Sequence, residues 1–562
     1  MIKKKPIFFN LSDTLESHYP RKYIFFDWLC TQIERIPKPL LIGIVVSFVV
    51  TFFVFLTEVS NFSYWDHDFA YLKSFSTNVN YTDGRWAADF LNVLIGFEFI
   101  PFVSFFWATL FKVSSGVLAA YFWTKNKDIP LLICSGILVG ISPEGLSYVL
   151  YRFQSQMFSG AMFFCVIGFL FAEQEHFILA FVSFLISIGT HQTILNMIGV
   201  LFCGKIVFDL INKTFFINLK FYKFVSCIIG IACATNFSII FILKKISLVK
   251  NHYNIDIASL KCMKESTIPL VKACFTYFWP FNNAAYMPFE VKIAILVLAS
   301  IAIFIIISST LRGKILSLKG LCLLGFNFIA FFSLIVSAKI SMILTPIKAY
   351  HAYRLTANGS IFLCLFIVVI TMLYAKNIHI SILVQLFVIF ILYEFFVQDA
   401  LFQRRNNDQF MADLSFAQRI VGGIENLDGF DIKKTYNFIF VGTMPYVERK
   451  FYVKYNYAYS LEEFSRNTMM KWSPTAILSY LAPYLKISTQ ITSLVDINDP
   501  ILAWKVYNYS KKYPWPNKKF AMFINDSTIL VILDNTNLDL EAQTIKQKLI
   551  KLGYNINEIP PL

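Results

Sequence analysis

The chain has 562 residues, of which 57% are hydrophobic and only 15% charged, and it carries 61 Phe and 28 Tyr. So little charge on so long a chain excludes an ordinary soluble protein, and recurrent long apolar runs mark a polytopic membrane protein. The formal net charge of +15 does not point to nucleic acid, because the basic residues gather at the ends of apolar runs and not on one soluble face.

The first 39 residues are polar and basic and no small-residue cleavage site follows the first apolar span, so the expectation is a cytoplasmic segment (1–39) followed by a start-transfer anchor. Apolar segments follow near 40–59, 100–123, 131–148, 157–172, 177–190, 193–211, 224–243, 291–310, 320–338, 360–375 and 379–397, which predicts about eleven spans. Lys3, Lys4, Lys5, Arg21, Lys22, Arg35 and Lys38 precede the first span and set the N-terminus in the cytoplasm. Lys125 and Lys127, then Lys213, Lys220 and Lys223, then Arg312, Lys314 and Lys319, fall on the same side. An odd number of spans leaves the C-terminal region outside. The predicted domains are therefore 1–39, a transmembrane domain over 40–397 with its first external loop at 60–99, and an external domain over 398–562.

In that last region, "TYNFIFVG" (435–442) and "TILVIL" (528–533) read as strands and "NLDLEAQTIKQKLIKLGY" (537–554) as an amphipathic helix, a small α/β domain. The ten cysteines show no metal-ligand spacing. Most are small hydrophobes in apolar segments, and only Cys262 and Cys274 share a polar loop where a disulfide is open to test.

The first external loop holds "SYWDHDFAYL" (63–72) and "TDGRWAADFLN" (82–92). A carboxylate at a membrane surface can deprotonate a sugar hydroxyl, while a neighbour orients it or holds a cation. Asp66 and Asp68 flank His67 and are candidates for this work; Asp83 is a candidate too, with a helix N-cap as the competing role. "WAADFLNVLIGF" (86–97) places apolar residues at 86, 90, 91, 94 and 97, the pattern of a helix on the membrane surface. On the same predicted face, "SPEGLSYVLYRFQSQ" (142–156) supplies Glu144 and Arg152, "GTHQT" (189–193) supplies His191 and Gln192, and "PIKAYHAYRLTANGS" (346–360) supplies Lys348, His351 and Arg354. Arginines here suit a headgroup phosphate through charge-assisted hydrogen bonds, with topogenic or snorkelling charge as the plain alternative. Lys112, in the middle of an apolar segment, reads as structural.

Taken together, the acidic loop, "GRW", "SPEGLSYVLYRFQSQMFSGAM", "GTHQT" and "AQRIVGGIENLDGFDIKKTYNFIFVG" (417–442) resemble the phage-type O-antigen glucosyltransferases, which are glucosyltransferase II-like membrane proteins. The resemblance runs from about residue 60 to near the C-terminus. It implies a GT-C type fold in the bacterial inner membrane, with an active site on the periplasmic face. It implies a polyprenyl-phosphate sugar as donor, O-antigen or another lipid-linked glycan as acceptor, and inversion at the anomeric carbon. Under it, Asp66 and Asp68 stand for the family's acidic pair, and Gly84-Arg85 for its Gly-Arg. Glu144, Arg152 and Gln192 fall in the later motifs. The histidine between the two aspartates departs from the family pattern and leaves open which aspartate is the base. The acidic pair also leaves a divalent cation as an open question. The readings from other classes are a transporter or flippase of lipid-linked oligosaccharide, and an O-antigen polymerase.

Overall fold

The structure is a computed structural model, and it describes residues 36–56, 85–95, 101–143, 155–246, 288–311, 318–338, 357–442, 474–491, 493–533 and 538–562. Twelve helices come first: α1 (Lys38–Val54), α2 (Trp86–Ile95), α3 (Pro101–Thr124), α4 (Ile129–Gly140), α5 (Ser155–Glu173), α6 (Phe177–Thr190), α7 (Ile194–Ile211), α8 (Leu219–Lys245), α9 (Phe289–Leu311), α10 (Leu318–Ser337), α11 (Ala357–Tyr374) and α12 (Ile378–Glu425). A helix occupies each of the eleven apolar segments of the sequence, and α2 is the additional one. Among the described residues, six helices are long and apolar enough to cross a membrane, and the apolar stretches of α1, α4, α6, α10 and α11 are shorter.

Outward faces are as apolar as the interior: Val45, Phe53, Ile178, Phe241, Phe304, Ile329, Leu386 and Ile389 are all exposed. Water would make such a surface aggregate, whereas lipid covers it without cost. Since lipid tails compete equally for apolar contact, the helices associate by close approach of small residues. Helices α1 and α4 run parallel, and Gly43 meets Leu132, Ser47 meets Gly136, and Thr51 meets Gly140 at four-residue intervals. A Cβ on Gly136 would lie 2.5 Å from the Ser47 hydroxyl, and one on Gly116 of α3 would lie 2.5 Å from the Ser135 carbonyl.

Two sequence expectations change here. The helix expected across 131–148 stops at Gly140, and the buried segment Ile141, Ser142 and Pro143 leaves it. Pro143 disfavours helix for the residue before it, and the close approach of Thr51 requires glycine at 140. The amphipathic helix expected at 86–97 is described over Trp86–Ile95 as α2, and among its described side chains Ala87, Ala88 and Leu91 are buried while Phe90 is exposed. The cause lies in its neighbours. Gly160 of α5 and Gly189 of α6 leave flat seats for Leu91 and Trp86, so small residues dock there.

Helix α12 does not end with its apolar stretch. It runs on to Glu425, across residue 398, and leads directly into a four-stranded sheet. That sheet is formed by β1 (Thr435–Val441), β2 (Lys486–Ile491), β3 (Ala521–Asn525) and β4 (Thr528–Ile532) in the order β2-β1-β4-β3. Strand β1 is parallel to β2 and β4, and β3 is antiparallel to β4. Alternation along β1 and β4 feeds two cores. Tyr436, Phe438, Phe440, Ile529 and Val531 pack on one face against Phe416 and Ile420 of α12 and Ile477 of α13 (Pro474–Leu481). On the other face, Ile439, Val441, Leu530 and Ile532 pack against Val506 of α14 (Pro500–Lys512) and Ile545 of α15 (Leu538–Lys551).

Candidate active site

The bundle has two polar ends. At one, Lys125 pairs with Glu173, Lys220 lies 3.2 Å from Glu175, and Lys205 lies 3.1 Å from Asp209. Asp209 also accepts from Tyr222 Oη at 2.6 Å and Asn218 Nδ2 at 2.8 Å, so its buried carboxylate is fully engaged. A network satisfied to this degree is structural.

The other end is different, because several helices stop there short of their neighbours. Trp123 stands edge-on to Phe366 at 5.5 Å and donates to the Leu201 carbonyl at 3.0 Å, while Phe122 meets Phe169 at 5.2 Å; these contacts align α3, α5, α7 and α11. From that level α3 rises about 16 Å to Lys112, and α5 rises as far to Phe158. Helices α7 and α11 start only about 10–13 Å above it. Helix α4 ends in the same layer, where Lys112 Nζ donates to the Gly140 carbonyl at 3.0 Å. Helix α6 ends there as well, since His191 stands edge-on to Phe158 at 4.8 Å. Four helix ends thus meet near the level of Lys112. Gln403 Nε2 of α12 donates to the Val54 carbonyl at 3.2 Å, so the sheet domain lies beyond this end and not the other.

Three of the sequence-predicted residues are described, and all three come together here. Arg85 immediately precedes α2 and is half-buried, its guanidinium 6.0 Å from the centroid of Phe158. A second partner of that ring is His191, which is 8% exposed and hydrogen-bonded through Nδ1 to the Thr193 hydroxyl. His191 adopts extended backbone after α6 and opens the bend to α7; this is why "GTHQT" interrupts two apolar helices. Half-buried Gln192 follows it in the same bend. Trp86 fixes α2 by donating from Nε1 to Asn236 Oδ1 at 2.9 Å. Asp66, Asp68, Asp83, Glu144, Arg152 and Arg354 lie outside the described residues, as do His67, Lys348, His351, Cys262 and Cys274.

A guanidinium is planar by its own bonding, and its fork of donors suits phosphate or carboxylate. An imidazole beside it can carry a proton. Among the described residues no three His, Cys, Asp or Glu side chains are grouped to hold a metal ion. Sequence reasoning did not single out Asn236 or Asp399. Asp399 is fully buried on α12, feels the charge of Lys112, and stood just past the last apolar run, where it read as the start of a separate domain. Comparison with protein-family models, characterised proteins and solved structures finds no match for the chain.

Proposed function

We propose that this chain is a GT-C type glycosyltransferase of about eleven spans in a bacterial inner membrane, N-terminus in the cytoplasm and sheet domain in the periplasm. It moves a hexose, glucose by resemblance, from a polyprenyl-phosphate donor to O-antigen or a related lipid-linked glycan, with inversion. A first-loop aspartate (Asp66 or Asp68, with Asp83 a further candidate) takes the acceptor proton. Arg85, with Arg152 and Arg354, holds the phosphate that leaves, and Glu144, His191 and Gln192 orient the sugar. The observation that carries this reading is the meeting of Arg85 and His191 around Phe158, in a layer of helix ends on the side of the sheet domain.

The test is lipopolysaccharide mass in cells with and without the chain, where the reading expects a gain of one hexose per repeat. The Asp66→Asn, Asp68→Asn double variant should lose on the order of a hundredfold to ten-thousandfold in rate while accumulating normally in the membrane. Near-normal modification by that variant refutes the catalytic loop. One observation favours a second reading, a transporter or flippase of lipid-linked oligosaccharide: Lys112 and Asp399 place two ionisable groups deep in the bundle. Under that reading, lipid-linked glycan fails to cross the membrane when the chain is removed, and no hexose is gained.

A further inference from the structure

The face of the sheet turned away from α12 is covered by α14 and α15, and a groove of about 340 Å³ opens between them. The two helices run antiparallel. Lys511, late in α14, lies 2.8 Å from Asp539, early in α15, while the groove brings Ala503, early in α14, to Ile545 and Lys548, late in α15. Its walls are aliphatic. Leu494, Val495 and Ile497, in and just after the 3-10 turn Leu494–Asp496, line it together with Ala503, Ile545 and Leu552. Leu494, Ile497, Ala503 and Ile545 are buried, whereas Leu552 lines the groove while 61% exposed. Lys548 and Lys551, three residues apart on one side of α15, line it too, and the Lys548 ammonium lies 3.4 Å from the Val495 carbonyl. Neither lysine has a carboxylate partner among the described residues. The neighbouring acids are placed otherwise. Asp499 caps α14 by accepting from the Ile501 amide at 2.9 Å, and Glu541 accepts from the Ser493 hydroxyl at 3.0 Å and the Leu494 amide at 2.7 Å. Asp496 is exposed and does not line the groove.

The chemistry of a ligand follows from what these walls offer. The amides of Leu494, Val495, Asp496, Ile497, Ile501 and Ala503 are all bonded within the domain. A peptide strand would find no row of backbone donors there, and an oxyanion no nest of N–H groups. No aromatic ring and only one side-chain amide, that of Asn498, line the groove, which leaves little to hold a sugar. No arginine lines it, so the planar fork that suits phosphate is missing. What remains is aliphatic surface for methylene groups and two compact positive charges for one anionic head. Lysines in a last turn also offset the helix dipole, but here they do so beside an aliphatic groove. Small-molecule sites span roughly 300–1,000 Å³, so this one is at the small end, with room for one short acyl chain and not for a polyprenyl chain. We infer that the groove between α14 and α15 binds the carboxylate form of a single-chain fatty acid, its chain along Leu494, Ile497, Ala503 and Ile545 and its head at Lys548 and Lys551. Such a site is separate from sugar transfer, since α12 and the bundle lie on the other face of the sheet.

The experiment uses the full chain in nanodiscs of phosphatidylcholine, with a diazirine-bearing ten-carbon fatty acid as probe and labelled peptides mapped by mass spectrometry. Label should fall within 494–503 and 545–552, should saturate, and should be displaced by decanoate but not by decanol at the same concentration. The Lys548→Gln, Lys551→Gln double variant should weaken binding of the probe by tenfold or more. Leu552→Glu should do the same, because it sets a like charge in the groove, and it changes an exposed residue whose loss does not threaten the fold. Lys546→Gln, exposed on α15 and outside the groove, should bind as wild type does. Label confined to other peptides overturns the inference, as does equal displacement by decanol or wild-type affinity in both groove variants. So does labelling of the same peptides by a diazirine-bearing phosphatidylglycerol in the nanodisc that decanoate cannot displace, since that face would then rest on the bilayer.

Discussion

Gly189→Ala isolates the docking of α2, the helix that carries Arg85 to the bundle. A Cβ at position 189 would lie 2.7 Å from Cε2 and Cζ2 of Trp86 and 2.9 Å from its Nε1. The indole must move, and overpacking of this kind costs about 1–3 kcal/mol. Moving it also breaks the 2.9 Å bond to Asn236 Oδ1, whose residue is 1% exposed. Side-chain hydrogen bonds between membrane helices are worth about 0.6 kcal/mol on average and at most about 1.7. The expected loss is therefore about 2–4 kcal/mol, read as a lower unfolding midpoint of the full chain in nanodiscs. Trp86→Leu on its own loses the hydrogen bond and ring packing, but combined with Gly189→Ala it removes the clash. The double variant should then be more stable than the sum of the two singles implies, by about 1 kcal/mol or more. Additive losses, or a Gly189→Ala chain as stable as wild type, would refute the seating of Trp86 on Gly189 and with it the position of Arg85.

Lys205→Met should cost about 3–5 kcal/mol, because it leaves the Asp209 carboxylate buried without its cation. Lys220→Met, which breaks the exposed pair with Glu175, should cost less than about 1 kcal/mol in the same unfolding assay. Phe158→Leu removes the ring shared by Arg85 and His191, and should lower sugar transfer a few-fold to about thirtyfold, following a contact worth about 0.5–2 kcal/mol. In the sheet domain, hydrogen bonds from Lys511 and Tyr507 hold the Asp539 carboxyl below its usual range. Its stabilisation is present above the unfolded carboxylate pKa of about 3.9 and is lost as pH falls through the lower folded value. The difference in unfolding midpoint between wild type and Asp539→Asn should accordingly shrink as pH drops below about 4; a difference that persists in full at pH 2 refutes the linkage.

Hydropathy made the helices of the bundle legible, because an apolar run of that length has few other uses, and "GTHQT" stood out as a polar bend for the same reason. What hydropathy marks is contact with lipid or core, and this need not coincide with where a helix ends. Helix α12 continues for many residues past its apolar stretch, since "QDALFQRRNNDQFMADLSFAQR" (398–419) is rich in good helix formers and contains no proline or glycine. The boundary expected at 398 therefore falls within a helix, and Asp399 is in the bundle. Strands β1 and β4 were readable because they are central and apolar, whereas β2, "KISTQI", is an edge strand with mostly exposed residues and no such signature. The arrest of α4 at Gly140 was hidden for another reason: the residues that decide it, Thr51 and Lys112, lie on other helices.

The polar layer is the consequence of those arrests. At 12 residues, α4 is about 18 Å long, and α6 at 14 residues is about 21 Å, against a hydrocarbon core of about 30 Å. A helix that stops short exposes carbonyls or amides which neither lipid nor an apolar core can satisfy. Ending one such helix demands a compensating side chain, and Lys112 supplies it for α4. Ending several within about 6 Å of height gathers such polar groups at one end of the bundle. Asp399 stands on the helix that leaves this layer, and further along the same helix Phe416 and Ile420 become part of the sheet domain's core. One continuous helix thus serves both the bundle and the sheet domain, and the boundary expected from sequence falls inside it.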